Sequence, residues 1–147
     1  MNYKRLNNLL GWLVFAIALY TYTATMEKTV SLWDCGEYIS TAHKLEVGHP
    51  PGAPLFNMLG RIFSAFVPSH DVAWSINFMS ALVSALTILF LFWSITYLAK
   101  KMATQNGAEF SDGSAVAVLL SGLVGSLALT FSDSFWFSAA EGEVYAM

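Results

Sequence analysis

The chain has 147 residues, of which 56% are hydrophobic and only 12% charged, with a formal net charge of -3 and a mean hydropathy of +0.54. Soluble domains carry about 25% charged residues, so an ordinary soluble domain is excluded, and the small negative charge with no basic patch excludes nucleic-acid binding. Cys35 is the single cysteine, which excludes an internal disulfide and a cysteine-based zinc site and leaves the thiol as a small packing residue.

Leu6 to Met26, Val72 to Ala99 and Gly113 to Ser132 contain no Asp, Glu, Lys or Arg. About 20 apolar residues cross the hydrocarbon core as a helix. The expected fold is therefore an all-α, multi-pass membrane protein with spans at about 6–26, 73–99 and 114–131. Lys4 and Arg5 ahead of the first run also suit a secretory signal, but the run is longer than a signal core and two more follow, so it is read as a retained anchor. Lys4-Arg5 and Lys100-Lys101 then share one side, which the positive-inside rule makes cytoplasmic. The N-terminus is cytoplasmic in this reading, and the loops at about 27–72 and from Ser132 onward lie outside with Asp34, Glu37, Asp133, Glu141 and Glu143. Trp12, Trp33, Trp74, Trp93 and Trp136 fall near span ends, as an interfacial belt requires.

Within the first outer loop, Ser31 to Leu45 has helical period: Asp34, Glu37, Thr41 and Lys44 share one sector, and Leu32, Cys35, Ile39 and Ala42 an apolar one. Ser31-Leu32-Trp33-Asp34 also fits a capping box, so Asp34 reads equally as a cap and as a reactive group. Gly36 is costly inside a helix and points either to close packing or to a helix start nearby. Gly48-His49-Pro50-Pro51-Gly52-Ala53-Pro54 is a stiff non-helical loop. Pro54 opens a helix through Val67 that is too short to span, with Asn57, Arg61 and Ser64 on a polar line beside Leu55, Met58, Leu59, Ile62 and Phe66. It is expected to lie in the interface, where the Arg61 guanidinium meets phosphate.

Ser69 or Asp71 caps the second span, whose Asn77, Ser80, Ser84, Ala81 and Ala85 read as packing positions. Asn106-Gly107 and Asp112-Gly113 mark a short loop in which Lys100, Lys101 and Glu109 are solvated charges. Gly122 and Gly125 in the third span read as helix contacts. No ionisable residue lies inside a span, which argues against a transport pathway. Phe135 to Met147 begins a second outer loop and then stops, so a longer multi-pass parent is expected.

Trp33-Asp34-Cys35-Gly36-Glu37, Val47-Gly48-His49-Pro50-Pro51-Gly52-Ala53-Pro54-Leu55, Leu59-Gly60-Arg61-Ile62-Phe63 and Glu143-Val144-Tyr145-Ala146 together resemble the N-terminal domain of a bacterial membrane family, domain of unknown function twenty-seven-twenty-three. That family is similar to transmembrane protein O-mannosyltransferases of the GT-C glycosyltransferase superfamily, whose first outer loop carries an Asp, often a Glu, and in protein mannosyltransferases a later His-Pro-Pro-Leu. Gly52-Ala53-Pro54 intervenes here before Leu55. The resemblance covers essentially residues 1–147 and implies the N-terminal part of a GT-C-like module in the bacterial inner membrane. It implies transfer of a sugar, mannose among the candidates, from a polyprenyl-phosphate to a hydroxyl acceptor, such as a protein Ser or Thr, on the outer face. Asp34 would be the general base and Glu37 its support. Arg61 and Lys44 would hold the donor phosphate, and His49 with Pro50 and Pro51 would position substrate. Glu143 and Tyr145 would close the pocket. Asp34, Glu37 and His49 could bind Mg or Mn, but the expectation is no metal and no other cofactor. The competing reading is a non-catalytic module that binds lipid phosphate or partner helices of the parent.

Overall fold

The charge-free runs become the three longest of six α-helices among the described residues, 2–144, of the computed structural model: α1 Tyr3–Thr25, α2 Cys35–Lys44, α3 Pro54–Ser64, α4 Val72–Ala103, α5 Asp112–Thr130 and α6 Asp133–Ala139. α1, α4 and α5 are long and apolar enough to cross a membrane. Short 3₁₀ turns at Ser69–Asp71 and Gln105–Gly107 precede α4 and follow it. Among the described residues there is no strand, so this is an all-α membrane protein. Two units form: residues 1–18 with 85–132, and residues 19–84 with 133–147.

In the first unit small residues decide the packing. A Cβ on Gly122 would stand 2.5 Å from Thr96 Cγ2 and 2.9 Å from a Phe92 ring carbon, and one on Gly125 would stand 2.6 Å from Ile95 Cδ1. In lipid, where apolar burial does not drive helices together, such close approach supplies the van der Waals contact that does. Gly122→Leu is therefore expected to cost about 1–3 kcal/mol through overpacking, read as a lowered unfolding midpoint in detergent micelles; Val124→Leu on the exposed face should leave the midpoint in place. α5 starts where Ser111 Oγ accepts the Ser114 backbone N–H at 3.2 Å, an N-cap of the usual kind. Lys100 is not simply solvated as expected: its Nζ lies 4.7 Å and 4.9 Å from the Tyr3 and Phe110 ring centres, a cation–π clasp at the end of α4.

In the second unit α2 lies against α3, close enough that a Cβ on Gly60 would stand 2.8 Å from that of Ala42. Cys35, Ile39 and Ala42 of α2 join Phe56, Val72, Ile76 and Met79 in a buried cluster, so the expected apolar sector is the packing face and Cys35 the packing residue. Leu32 is the exception and is exposed, because α2 begins at Cys35 rather than Ser31.

α3 buries Phe56 in that cluster and also turns polar groups inward. Its polar Asn57 and Ser64 are buried toward α2, with Asn57 Nδ2 donating to Glu46 O at 3.1 Å and Ser64 Oγ 3.1 Å from His43 Nδ1. Leu55, Met58 and Ile62 are exposed, as is Phe66 just beyond the helix. An exposed apolar stripe is what an interfacial helix presents to lipid.

Asn77, expected as a span-packing residue, instead ties down the loop after α1: its Nδ2 donates to Glu27 O at 2.9 Å and Thr29 O at 3.0 Å. Glu27 N–H donates to Ala140 O at 2.9 Å, and Trp136 Nε1 donates to Thr25 Oγ1 at 2.8 Å. The stretch after the third span, expected as loop, thus begins with α6, docked onto the end of α1.

Candidate active site

Asp34 occupies the N-cap position of α2, but its side chain makes no capping hydrogen bond. Ser31, which a capping box would place there, pairs instead with the Glu141 carboxylate, donating through Oγ to Oε2. The capping-box reading is thereby overturned: the helix starts too late for Ser31 to reach it. Gly36 in turn lies in the first turn of α2, where Val30 approaches to 3.1 Å of a would-be Cβ.

Glu37, one turn into α2, holds the double-proline loop. Its Oε1 accepts the His49 backbone N–H at 2.6 Å and its Oε2 lies 3.1 Å from His49 Nδ1. Gly48 makes this approach possible, since a Cβ there would stand 3.0 Å from Glu37 Oε1. The loop is closed by Gly52 N–H donating to His49 O at 2.9 Å, around a cis bond between Pro50 and Pro51. Gly52 has φ of +80°, which only glycine adopts freely.

The His49 ring therefore stands between two carboxylates. Nδ1 faces Glu37, and Nε2 is 4.0 Å from Asp34 Oδ2. The hydrogen bond and charge of Glu37 hold the imidazole above its ordinary value of 6.5, with Asp34 adding to the effect. The backbone and ring N–H groups of His49 hold Glu37 below its ordinary 4.5. The lowered Glu37 makes its full contribution above pH 4.5, losing it as pH falls through the bound value; the raised His49 makes its own below pH 6.5, losing it as pH rises. The pair is thus strongest between those limits. We expect the His49 Cε1 proton to titrate by NMR with a midpoint above 6.5, and Glu37→Gln to bring it back down.

Asp34, Glu37 and His49 offer two oxygens and one nitrogen, all within 4.8 Å of one another, so these three residues could hold a divalent cation. Glu143 is also tied to the cluster electrostatically: burial, and then the charge of Asp34, push its carboxyl up. Tyr145 lies outside the described residues. Lys44 and Arg61 are not brought to the cluster. Lys44 is the last residue of α2, and Arg61 Nη1 donates to His43 O at 2.7 Å at that same end. Ten residues of helix, roughly 15 Å at 1.5 Å each, separate that end from Asp34.

Glu141, expected only as one of the outer-side acids and given no role, is buried and lines a cavity with Trp33. Burial raises its pKa, and the charges of Glu143 and Glu27 raise it further. The available signal was its place in Ala140-Glu141-Gly142-Glu143, an acid flanked by small residues in a chain with few charges.

The model of the protein O-mannosyl-transferase TMEM260 N-terminal domain matches residues 34–147, beginning at Asp34 itself. The chain belongs to that family. Among its relatives is the protein O-mannosyl-transferase tmem260 of Dictyostelium discoideum, 35% identical over 137 residues, which cover 92% of this chain and 15% of that protein. Another is the protein O-mannosyl-transferase TMEM260 of Mus musculus, 35% identical over 82 residues, 56% of this chain and 12% of that protein. The chain thus spans only a small part of the length of either relative. No solved structure matches it. The family model takes in Asp34, Glu37, His49, Arg61 and Glu143, so both loop segments described above belong to the family domain.

Proposed function

We propose that this domain supplies the acid–base part of a membrane protein O-mannosyltransferase. Mannose moves from a polyprenyl-phosphate to a protein hydroxyl on the outer face of the membrane. The observation that carries this reading is the open carboxylate of Asp34 beside a His49 ring anchored by Glu37. Asp34 takes the proton of the acceptor hydroxyl, whose oxygen forms a bond to the anomeric carbon as the bond to the phosphate oxygen breaks. The phosphate leaves with that electron pair. Glu37 keeps His49 and its loop in place, and the His49 ring stands beside the Asp34 carboxylate. The family relationship supports mannose and a protein acceptor at the level of the relatives' names.

The test is mannosyl transfer by the full-length protein, with and without Asp34→Asn. The reaction needs no metal in this reading, because Asp34 takes the proton of the acceptor hydroxyl directly. Transfer is therefore expected to survive EDTA unchanged, and a loss restored by Mn or Mg would reverse the metal-free assignment. A second reading, lipid-phosphate binding without catalysis, has one observation of its own: Lys44 and Arg61 gather at the far end of α2. It predicts that Arg61→Ala weakens binding to anionic vesicles while Asp34→Asn changes nothing.

A further inference from the structure

A cavity of about 590 Å³ is lined by Thr25 at the end of α1, Glu27, Ser31 and Trp33 in the following loop, and Phe137 and Glu141 from the last segment. Its size is that of a small-molecule site. Three features of its wall are unusual together. Trp33 is 89% exposed and sits at φ of +64°, a conformation that a bulky side chain rarely adopts. Glu141 is only 5% exposed, yet its carboxylate is at the wall and paired with the Ser31 hydroxyl. Thr25 Oγ1, bonded to Trp136 and to the Thr21 carbonyl, adds a further oxygen.

We infer that this cavity is a hexopyranose site, with the ring's C–H face laid on the Trp33 indole and its hydroxyl rim bonded to Glu141 and Ser31. A pyranose has one apolar face and an edge of hydroxyls that both donate and accept. An exposed indole next to a carboxylate and a hydroxyl offers a partner to each: apolar area for the face and hydrogen bonds for the edge. A cationic headgroup would use the indole too, but it has no use for the hydroxyls and would draw on carboxylate charge alone. The inference rests on the proposed mannosyl transfer, because Asp34 directly follows Trp33 and so joins the cavity wall to the cluster through the backbone.

The experiment is saturation-transfer NMR on the chain in lipid nanodiscs, with D-mannose as the sugar probe and choline as the cationic one. Mannose is expected to bind, and Trp33→Ala to weaken it about ten-fold. Glu141→Gln should weaken mannose as well, while Trp74→Ala, whose ring stacks on Phe78, should not. Trp33 is so exposed that its removal leaves the fold in place, so folding does not cloud that result. No transfer to mannose, equal binding in Trp33→Ala, or choline binding with mannose excluded would each overturn the site; the first two leave Trp33 as a membrane anchor only. If mannose binding is lost while Asp34→Asn still abolishes turnover, the cavity assignment fails alone. If mannose binds but turnover ignores Asp34→Asn, the acid–base reading fails alone.

Discussion

Asp34→Asn is expected to lower mannosyl transfer by the full-length protein by roughly 10²–10⁴-fold, the range that a positioned general base contributes. The amide keeps the shape of the carboxylate and removes its ability to take a proton. Because the Asp34 side chain makes no capping hydrogen bond, α2 should form as before, and an unchanged unfolding midpoint would show this. The loss should fall on kcat rather than KM, since the proton moves only as the hydroxyl attacks. Turnover within a few-fold of the unsubstituted protein would remove Asp34 from the chemistry and leave the lipid-phosphate reading in its place.

Glu37→Ala should have the next largest effect, on the order of 10²-fold in kcat, because misplacement of a reacting group by about 1 Å can cost that much. Glu37 is the only side chain among the described residues shown bonding both the backbone and the ring of His49. Without it the loop from Gly48 to Gly52 loses its tie to α2, and His49 its lock. Glu37→Gln separates the two tasks. It keeps an acceptor for the His49 N–H but gives up the charge that raises the imidazole, so kcat should be intermediate and the alkaline limb of the pH profile should shift to lower pH. A Glu37→Ala protein with full activity would mean that the loop is held by other contacts and that His49 does not bear on Asp34.

Much of this arrangement was legible from residue order. A helix across lipid must satisfy its own backbone and expose apolar side chains, so charge-free runs of the right length could become little else, and α1, α4 and α5 lie where those runs are. Pro54 marked the start of α3 for a reason equally local: its missing N–H costs nothing in a first turn. Asp34, Glu37 and His49 were readable as a group because a rare polar stretch in an apolar chain has few alternatives.

Partners between segments far apart in the chain were not legible. Ser31 and Glu141 are separated by 110 residues, and Ser31, with α2 starting only at Cys35, pairs there instead of capping the helix. Asn77 looked like a packing residue until its amide was seen to hold the Glu27 and Thr29 carbonyls. The resemblance implied that Arg61 and Lys44 hold the donor phosphate, yet helix length puts them at the end of α2 away from Asp34.

Sequence by itself determined which segments are long and apolar enough to cross a membrane and which residues carry charge between them, because hydrophobicity and backbone satisfaction act within a single segment. Only the tertiary structure decided what those charges do. A carboxylate becomes a loop anchor, a buried cavity wall or an open base according to the donors and burial that distant segments bring to it, and no local pattern encodes them.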